Sequence, residues 1–534
     1  MSGTTATGGP GAVPRSTLWQ LVARRAQETP DTVMAVDELG RSITFGGFRR
    51  HAEQAAAGLQ RLGVQAGTTV VWQLPTSIEA TVLMAALSRL GALQIPVLPI
   101  LRERELTFIT RQVGAGLLVV PGTFRGFDHA AMAEAVAAAT GCRVLVSDPE
   151  RPDTVAPAGI ALPWADPATL PSPPALPATG PDPVRWVFYT SGTTAEPKGV
   201  KHTDPSAVAT GIHLLSGLAL GADDVTLMVA PITHVGGIMT LATQLMTGFR
   251  TVLMRAFDAR ETPRLAARHG ITVLRAPVPV VRACIDAQKA HGPEPLYPDL
   301  RACQCGGAAR PTDLNEAVRR LWGLRGVLSS YGMTECPGVT AIRPDDTEQR
   351  IQGTSGKLTP GTELRVVDPA GRLLGPGQEG ELLVRGPQLF SGYVDPALEE
   401  DAFDADGFFR SGDLGIVDED GYVRVTGRIK DIIIRNGENI SALEIENVLS
   451  THPAISDVAV IGLPDARTGE RCCAVVDLAP GRTLTLEDVA DFCRAAGIAR
   501  QKIPEQLELG PVPRNSMGKI EKQRLRARFA PAPA

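Results

Sequence analysis

The chain has 534 residues, 43% hydrophobic and 21% charged, with a formal net charge of -5. That length calls for several core-forming units, and the acidic balance without a dense Lys/Arg run argues against a nucleic-acid surface. Aromatics at 4% also leave few platforms for base stacking.

Residues 1–16 are rich in Gly, Thr, Ala and Pro, with no apolar core behind a basic start. They read as a disordered tail and not as a secretory signal. Residues 16–63 carry two amphipathic helical patterns around a short strand at 42–45. A strand at 70–74, a helix at 78–90 and a strand at 93–98 follow. The most apolar stretch, 80–100, is broken by Arg89, Gly91 and Gln94, so no transmembrane segment is expected. Strands at 117–120 and 143–146 flank an alanine-rich helix at 130–139. This alternation predicts an α/β fold, a large layered N-terminal domain with largely parallel sheets. Residues 152–183 are dense in proline and read as a loop that packs little of its own. The eight cysteines lack zinc-finger spacing and read as reduced thiols of a cytoplasmic protein.

Residues 184–188 form a short apolar run that reads as a buried strand. Then comes Tyr189-Thr190-Ser191-Gly192-Thr193-Thr194-Ala195-Glu196-Pro197-Lys198-Gly199. Thr203-Asp204-Pro205 reads as a capped helix start, so the loop is expected to join a strand to a helix. Glycine-freed backbone N–H groups, hydroxyls and a lysine suit a polyphosphate. The loop is not a Walker A sequence, because Pro197 stands where the second glycine should fall, and it lacks Gly-x-Gly-x-x-Gly.

Beyond it, a strand at 225–229 leads into His234, Val235, Gly236 and Gly237. Strands at 251–254 and 272–274 precede Gly306-Gly307-Ala308. A strand at 327–330 runs into Tyr331-Gly332-Met333-Thr334-Glu335. Residues 353–386 read as a small β-rich subdomain. Ser411-Gly412-Asp413, a strand at 422–426 and Gly427-Arg428-Ile429-Lys430-Asp431 come next. Residues 432–529 read as a separate α+β domain, closed by Asn515-Ser516-Met517-Gly518-Lys519 and an Ala/Pro tail at 530–534.

In that order these motifs resemble those of the adenylate-forming superfamily of AMP-binding enzymes, over nearly the whole chain. The resemblance implies a large adenylation domain at 17–428, a hinge at 429–431 centred on Lys430, and a small mobile α+β C-terminal domain at 432–529. It implies ATP or AMP contacts from Thr190, Ser191, Gly192, Thr193, Thr194 and Lys198, and from Gly306, Gly307 and Ala308 under the adenine. Tyr331, Gly332, Met333 and Thr334 would continue that surface, with Asp413 and Arg428 on the ribose and Glu335 on Mg2+. His234, Val235, Gly236, Met239, Val278, Gly307 and Gly332 would line the acid pocket. Lys519, Thr190, Glu335 and His234 would form the catalytic group, and Gly437 and Glu438 would face CoA. Cys303 and Cys305 depart from the small polar residues usual beside the adenine.

The activity this implies is ATP-dependent joining of an apolar acid (fatty, alicyclic or aromatic) to CoA through an acyl-adenylate. An acyl-AMP ligase loading a carrier protein and a catalytically silent acyl or nucleotide sensor are the rivals. Residues 230–240 lack the Asp that holds an amine in amino-acid adenylation domains. A homodimer is compatible with the sequence.

Overall fold

The structure is a computed structural model and describes residues 6–7, 15–148, 159–190, 197–305, 312–436, 438–465, 467–514 and 519–529. Its organising helix is Ile78–Leu90, in which every residue is buried. A helix apolar all round belongs inside a core. Ser77 caps its start by accepting from the Ala80 N–H, and Gly91 ends it in the left-handed conformation. The helix lies in a core shared by two sheets, with Trp72 and Trp186 from one and Met34 and Leu253 from the other.

The first sheet has six strands, in the order Lys198–Thr203, Val184–Thr190, Leu93–Pro96, Thr69–Trp72, Leu117–Pro121 and Arg143–Ser147. Only the edge strand Lys198–Thr203 is antiparallel. The second has seven, with Val33–Asp37, Val225–Met228, Arg250–Leu253, Val273–Arg275 and Ala302–Gln304 at its centre. Their buried, β-branched runs are what parallel strands covered on both faces require.

A third, antiparallel sheet holds Glu363–Val367, Gly380–Arg385, Phe409–Val417 and Val423–Arg428. Its last strand ends in the 3-10 turn Ile429–Asp431. The sheet that follows, from Ile432–Arg435 onward, encloses its own core around Ile433, Ile445, Val460 and Val476.

Several expectations need correction. The phosphate-type loop joins two strands of a hairpin; Thr190 pairs with Lys198, and the helix Asp204–Ala209 starts only after the second strand. Residues 159–183 do pack, because Ile160, Leu162 and Ala165 are buried against the core. The N-terminal tail is not structureless throughout, since Ala6–Thr7 pairs with Glu363 and Leu364. The strand Val33–Asp37 and the helix Glu103–Gln112 were not foreseen. Among the described residues no helix is long and apolar enough to cross a membrane, and all eight cysteines are buried.

Candidate active site

Two cavities meet at Tyr331, Gly332 and Lys519, which line both. The larger, about 1280 Å³, runs between the third sheet and the C-terminal lobe and is lined by Asp413, Arg428, Ile432 and Asn439. The smaller, about 190 Å³, lies under the helix Val235–Thr247.

Asp413 and Arg428 are direct cross-strand partners. The Arg428 Nε lies 2.9 Å from Asp413 Oδ1, and the Tyr331 hydroxyl donates to Asp413 Oδ2 at 2.9 Å. Burial, reinforced by the Asp413 charge, raises the Tyr331 pKa well above its usual value, so the phenol stays a donor. A buried carboxylate is thus held by one cation and one hydroxyl at the mouth of the larger cavity.

His234 caps the helix Val235–Thr247, its Nδ1 accepting from the Gly236 N–H at 3.2 Å. Burial, with Lys519 and Arg275 nearby, pushes its pKa down to about 4, so the ring is neutral near pH 7. Val235, Gly236, Met239, Gly332, Met333 and Thr334 line the same cavity as His234. Gly237 must lack a Cβ, which would sit 1.9 Å from the Ile232 carbonyl oxygen. Gly332 is equally confined, its Cβ position being 2.5 Å from the Gly338 nitrogen.

Glu335 accepts from the Tyr393 hydroxyl at 2.9 Å through one carboxylate oxygen. Among the described residues no group of three or more His, Cys, Asp or Glu gathers for a metal. A single carboxylate still fits Mg2+, which takes one or two such ligands and fills its shell with phosphate and water.

Lys519 arrives from the C-terminal lobe. Arg514 and Ile520 bridge as antiparallel partners beside it, and the salt bridge of Lys522 to Glu446 at 2.8 Å ties down the helix that follows. Burial lowers the Lys519 pKa, Arg428 lowers it further, and Asp413 and Glu335 oppose both. The lysine therefore lies within electrostatic reach of Arg428, Asp413, Glu335 and His234. Lys430, in the 3-10 turn, also has a lowered pKa from burial, with Arg428 and Lys198 adding to it. Contact between the lobes includes the Ser441 hydroxyl donating to the Thr426 carbonyl at 2.7 Å.

The remaining expected residues divide. Thr190 ends its strand opposite Lys198. Ser191, Gly192, Thr193, Thr194, Gly306, Gly307, Ala308 and Gly437 lie outside the described residues. Glu438 is exposed on the strand Glu438–Ser441 and lines neither cavity itself, although the next residue, Asn439, lines the larger one. Val278 does not line the smaller cavity; it starts the helix Val278–His291 and packs against a separate core. Pro277, one residue earlier, takes its place on the wall.

Sequence reasoning missed His202, Arg275 and Gln304. Buried His202 donates from Nε2 to the Thr334 carbonyl oxygen at 2.9 Å, while its Nδ1 faces the Ser206 hydroxyl at 3.1 Å. It thereby pins the Tyr331–Glu335 segment to the edge strand after the phosphate-type loop. For Arg275 and Gln304 the available signal was a polar residue at the end of a short, otherwise apolar strand; His202, in a mostly polar strand, offered none.

A family model described as "AMP-binding enzyme" matches residues 22–394, and "AMP-binding enzyme C-terminal domain" matches 444–519. The chain is 35% identical to the medium-chain fatty-acid–CoA ligase of Escherichia coli (strain K12), covering 95% of this chain and 89% of that protein. It is also 35% identical to the salicyl-AMP ligase / salicyl-S-ArCP synthetase of Mycobacterium tuberculosis, over 95% of this chain and 90% of that one. Among solved structures, ATP-bound MatB from Rhodopseudomonas palustris superposes with a TM-score of 0.83 at 28% identity, covering 96% of this chain and 99% of that chain.

Proposed function

The chain belongs to the family of AMP-binding enzymes, and from that premise we propose that it is an AMP-forming carboxylate–CoA ligase whose acid has a largely apolar body. The observation that carries this reading is the place of Lys519. A lysine from the C-terminal lobe lines both cavities where they meet, within electrostatic reach of Arg428, Asp413, Glu335 and His234.

In the first step an oxygen of the substrate carboxylate bonds to the α-phosphorus of ATP. The bond from that phosphorus to the bridging oxygen breaks, and pyrophosphate leaves with the electron pair. The carboxylate is already ionised near neutral pH, so no base is needed. The barrier is that of bringing an anion to a polyanion. Lys519 and Lys198 lower it by placing positive charge at the transferring centre, and Thr190 to Thr194 add hydrogen-bond donors. Asp413 and Arg428 hold the ribose, the Tyr331 ring lies against the adenine, and neutral His234 borders the carboxylate without competing for its charge. Glu335 holds Mg2+, which when bound neutralises phosphate charge.

In the second step the CoA thiol attacks the carbonyl carbon of the acyl-adenylate and AMP leaves. Rotation about Lys430 withdraws Lys519 and presents the face carrying Gly437 and Glu438. The place of Lys519 on the wall of both cavities supports the view that this arrangement belongs to the first step.

The test is pyrophosphate release from ATP and Mg2+ with a panel of acids, with and without CoA. Acid-dependent release that turns over on adding CoA, with AMP and a thioester as products, is expected. ADP and phosphate as products would overturn the reading. Turnover with an acyl carrier protein but not with CoA would select the carrier-loading rival.

A further inference from the structure

The smaller cavity is not uniformly apolar. Leu214, Leu218, Met228, Met239 and Phe249 furnish its apolar wall, but Arg275 and Gln304 also line it. Arg275 ends the strand Val273–Arg275, and its guanidinium is spent on weak acceptors: Nη1 donates to the Thr240 hydroxyl at 3.2 Å and Nη2 to the Met239 sulfur at 3.6 Å. Among the described residues no carboxylate pairs with it. Burial lowers its pKa only to about 10, so it remains charged near pH 7.

Gln304 lies on the neighbouring strand, where Arg275 and Gln304 are paired in register. It is 2% exposed, and its Nε2 has no hydrogen-bond partner among the described residues. His213, on the same cavity wall, has an Nδ1 in the same condition. A buried donor left without an acceptor costs about 1–3 kcal/mol, and more when charged. Two adjacent donors left short on one wall are therefore a binding feature of the cavity and not a packing one.

The volume adds a limit. A cavity of about 150 Å³ holds benzene, so about 190 Å³ takes one ring or a short chain. We propose that the acid activated here is a short or single-ring carboxylic acid carrying a second hydrogen-bond-accepting group, anionic or neutral, which Arg275 and Gln304 receive. This deepens, and rests on, the carboxylate-activating reading. Plain hydrocarbon acids would leave the Gln304 Nε2 without an acceptor and Arg275 with only its weak ones, and a site built to bond a polar group discriminates against the analogue that lacks it.

The experiment uses matched acids: benzoate against the hydroxybenzoates and benzenedicarboxylates, and butanoate and hexanoate against their dicarboxylate counterparts. Thermal-shift binding and pyrophosphate release are read for the full-length protein, Arg275→Met and Gln304→Leu. Both variants replace a polar group of the cavity wall, half-buried in Arg275 and buried in Gln304, by an apolar one of similar size, which folds tolerate well. We expect at least one acceptor-bearing acid to exceed its plain partner by tenfold or more in kcat/KM and in Kd. Each variant should shrink that ratio by tenfold or more. Equal losses for both members of a pair would place Arg275 on the reacting carboxylate and overturn the proposal, as would preference for the plain acid in every pair. Discrimination in binding without any pyrophosphate release would overturn the ligase reading while upholding Arg275 and Gln304 as the receivers of the second acceptor group. Release without discrimination would do the reverse.

Discussion

Replacing Lys519 by Ala separates the two half-reactions. The side chain lines both cavities where they join, so on the proposed reading its ammonium faces the transferring phosphorus and not a distant phosphate. Two unit charges about 4 Å apart attract by about 4 kcal/mol at an effective dielectric constant of about 20. Loss of one preorganised electrostatic contact at a transition state typically costs about 3 kcal/mol. Adenylate formation should therefore slow about 100- to 1000-fold, read as acid-dependent pyrophosphate release. Thioester formation from supplied acyl-adenylate and CoA should stay within a few-fold of the parent, since the proposed rotation takes Lys519 out of the site by then. Burial lowers the Lys519 pKa, which means folding disfavours its charge, so the variant's Tm should equal or exceed the parent's. Matching losses in both half-reactions, or a fall in Tm, would refute the reasoning.

Three further outcomes are expected. Asp413→Asn leaves Arg428 without its carboxylate at 2.9 Å; ATP affinity measured by calorimetry should fall tenfold or more, and unchanged affinity would remove Asp413 from the ribose site. Lys430→Pro suits the φ of the 3-10 turn Ile429–Asp431, so pyrophosphate release should persist while thioester formation drops at least tenfold; normal overall turnover would argue against hinge rotation. His202 is fully buried, and burial pushes its pKa from 6.5 to about 4. The unfolded chain then binds the extra proton between those values, so stability is lost as pH falls from 6.5 towards 4, by about 3 kcal/mol from this residue. Urea unfolding at several pH values should show that slope, reduced in His202→Gln; an unaltered slope would clear His202 of the effect.

Long periodic segments were legible in the chain. Residues 78–90 were read as a helix over the same span in which the structure forms one, because an apolar run between a Ser cap and a Gly stop leaves little alternative. Short strands were harder. Val33–Asp37 has only five residues and is stabilised by pairing with Arg250–Leu253, a partner more than two hundred residues away that no local pattern reveals. The hairpin after Thr190 was misread for a related reason: Lys198–Thr203 is mostly polar, with Val200 its one aliphatic side chain, as an edge strand can be, and only its pairing makes it a strand.

The site followed the same division. Tyr331, Asp413, Arg428 and Lys519 stood in recognisable motifs, and the structure brings them around one cleft. Which side chains share a wall with His234 was not written in any window of residues. Val278 was expected there and faces a different core, while Arg275 and Gln304 face inward from two neighbouring strands. By itself the chain determined the succession of elements and the chemical vocabulary of its loops, because caps, turns and periodicity act over a few residues. Tertiary structure alone decided which distant strands pair, where a half-buried arginine has no carboxylate partner among the described residues, and how much room lies beside it. Those outcomes depend on packing and desolvation, which are properties of the assembled interior and of no segment taken alone.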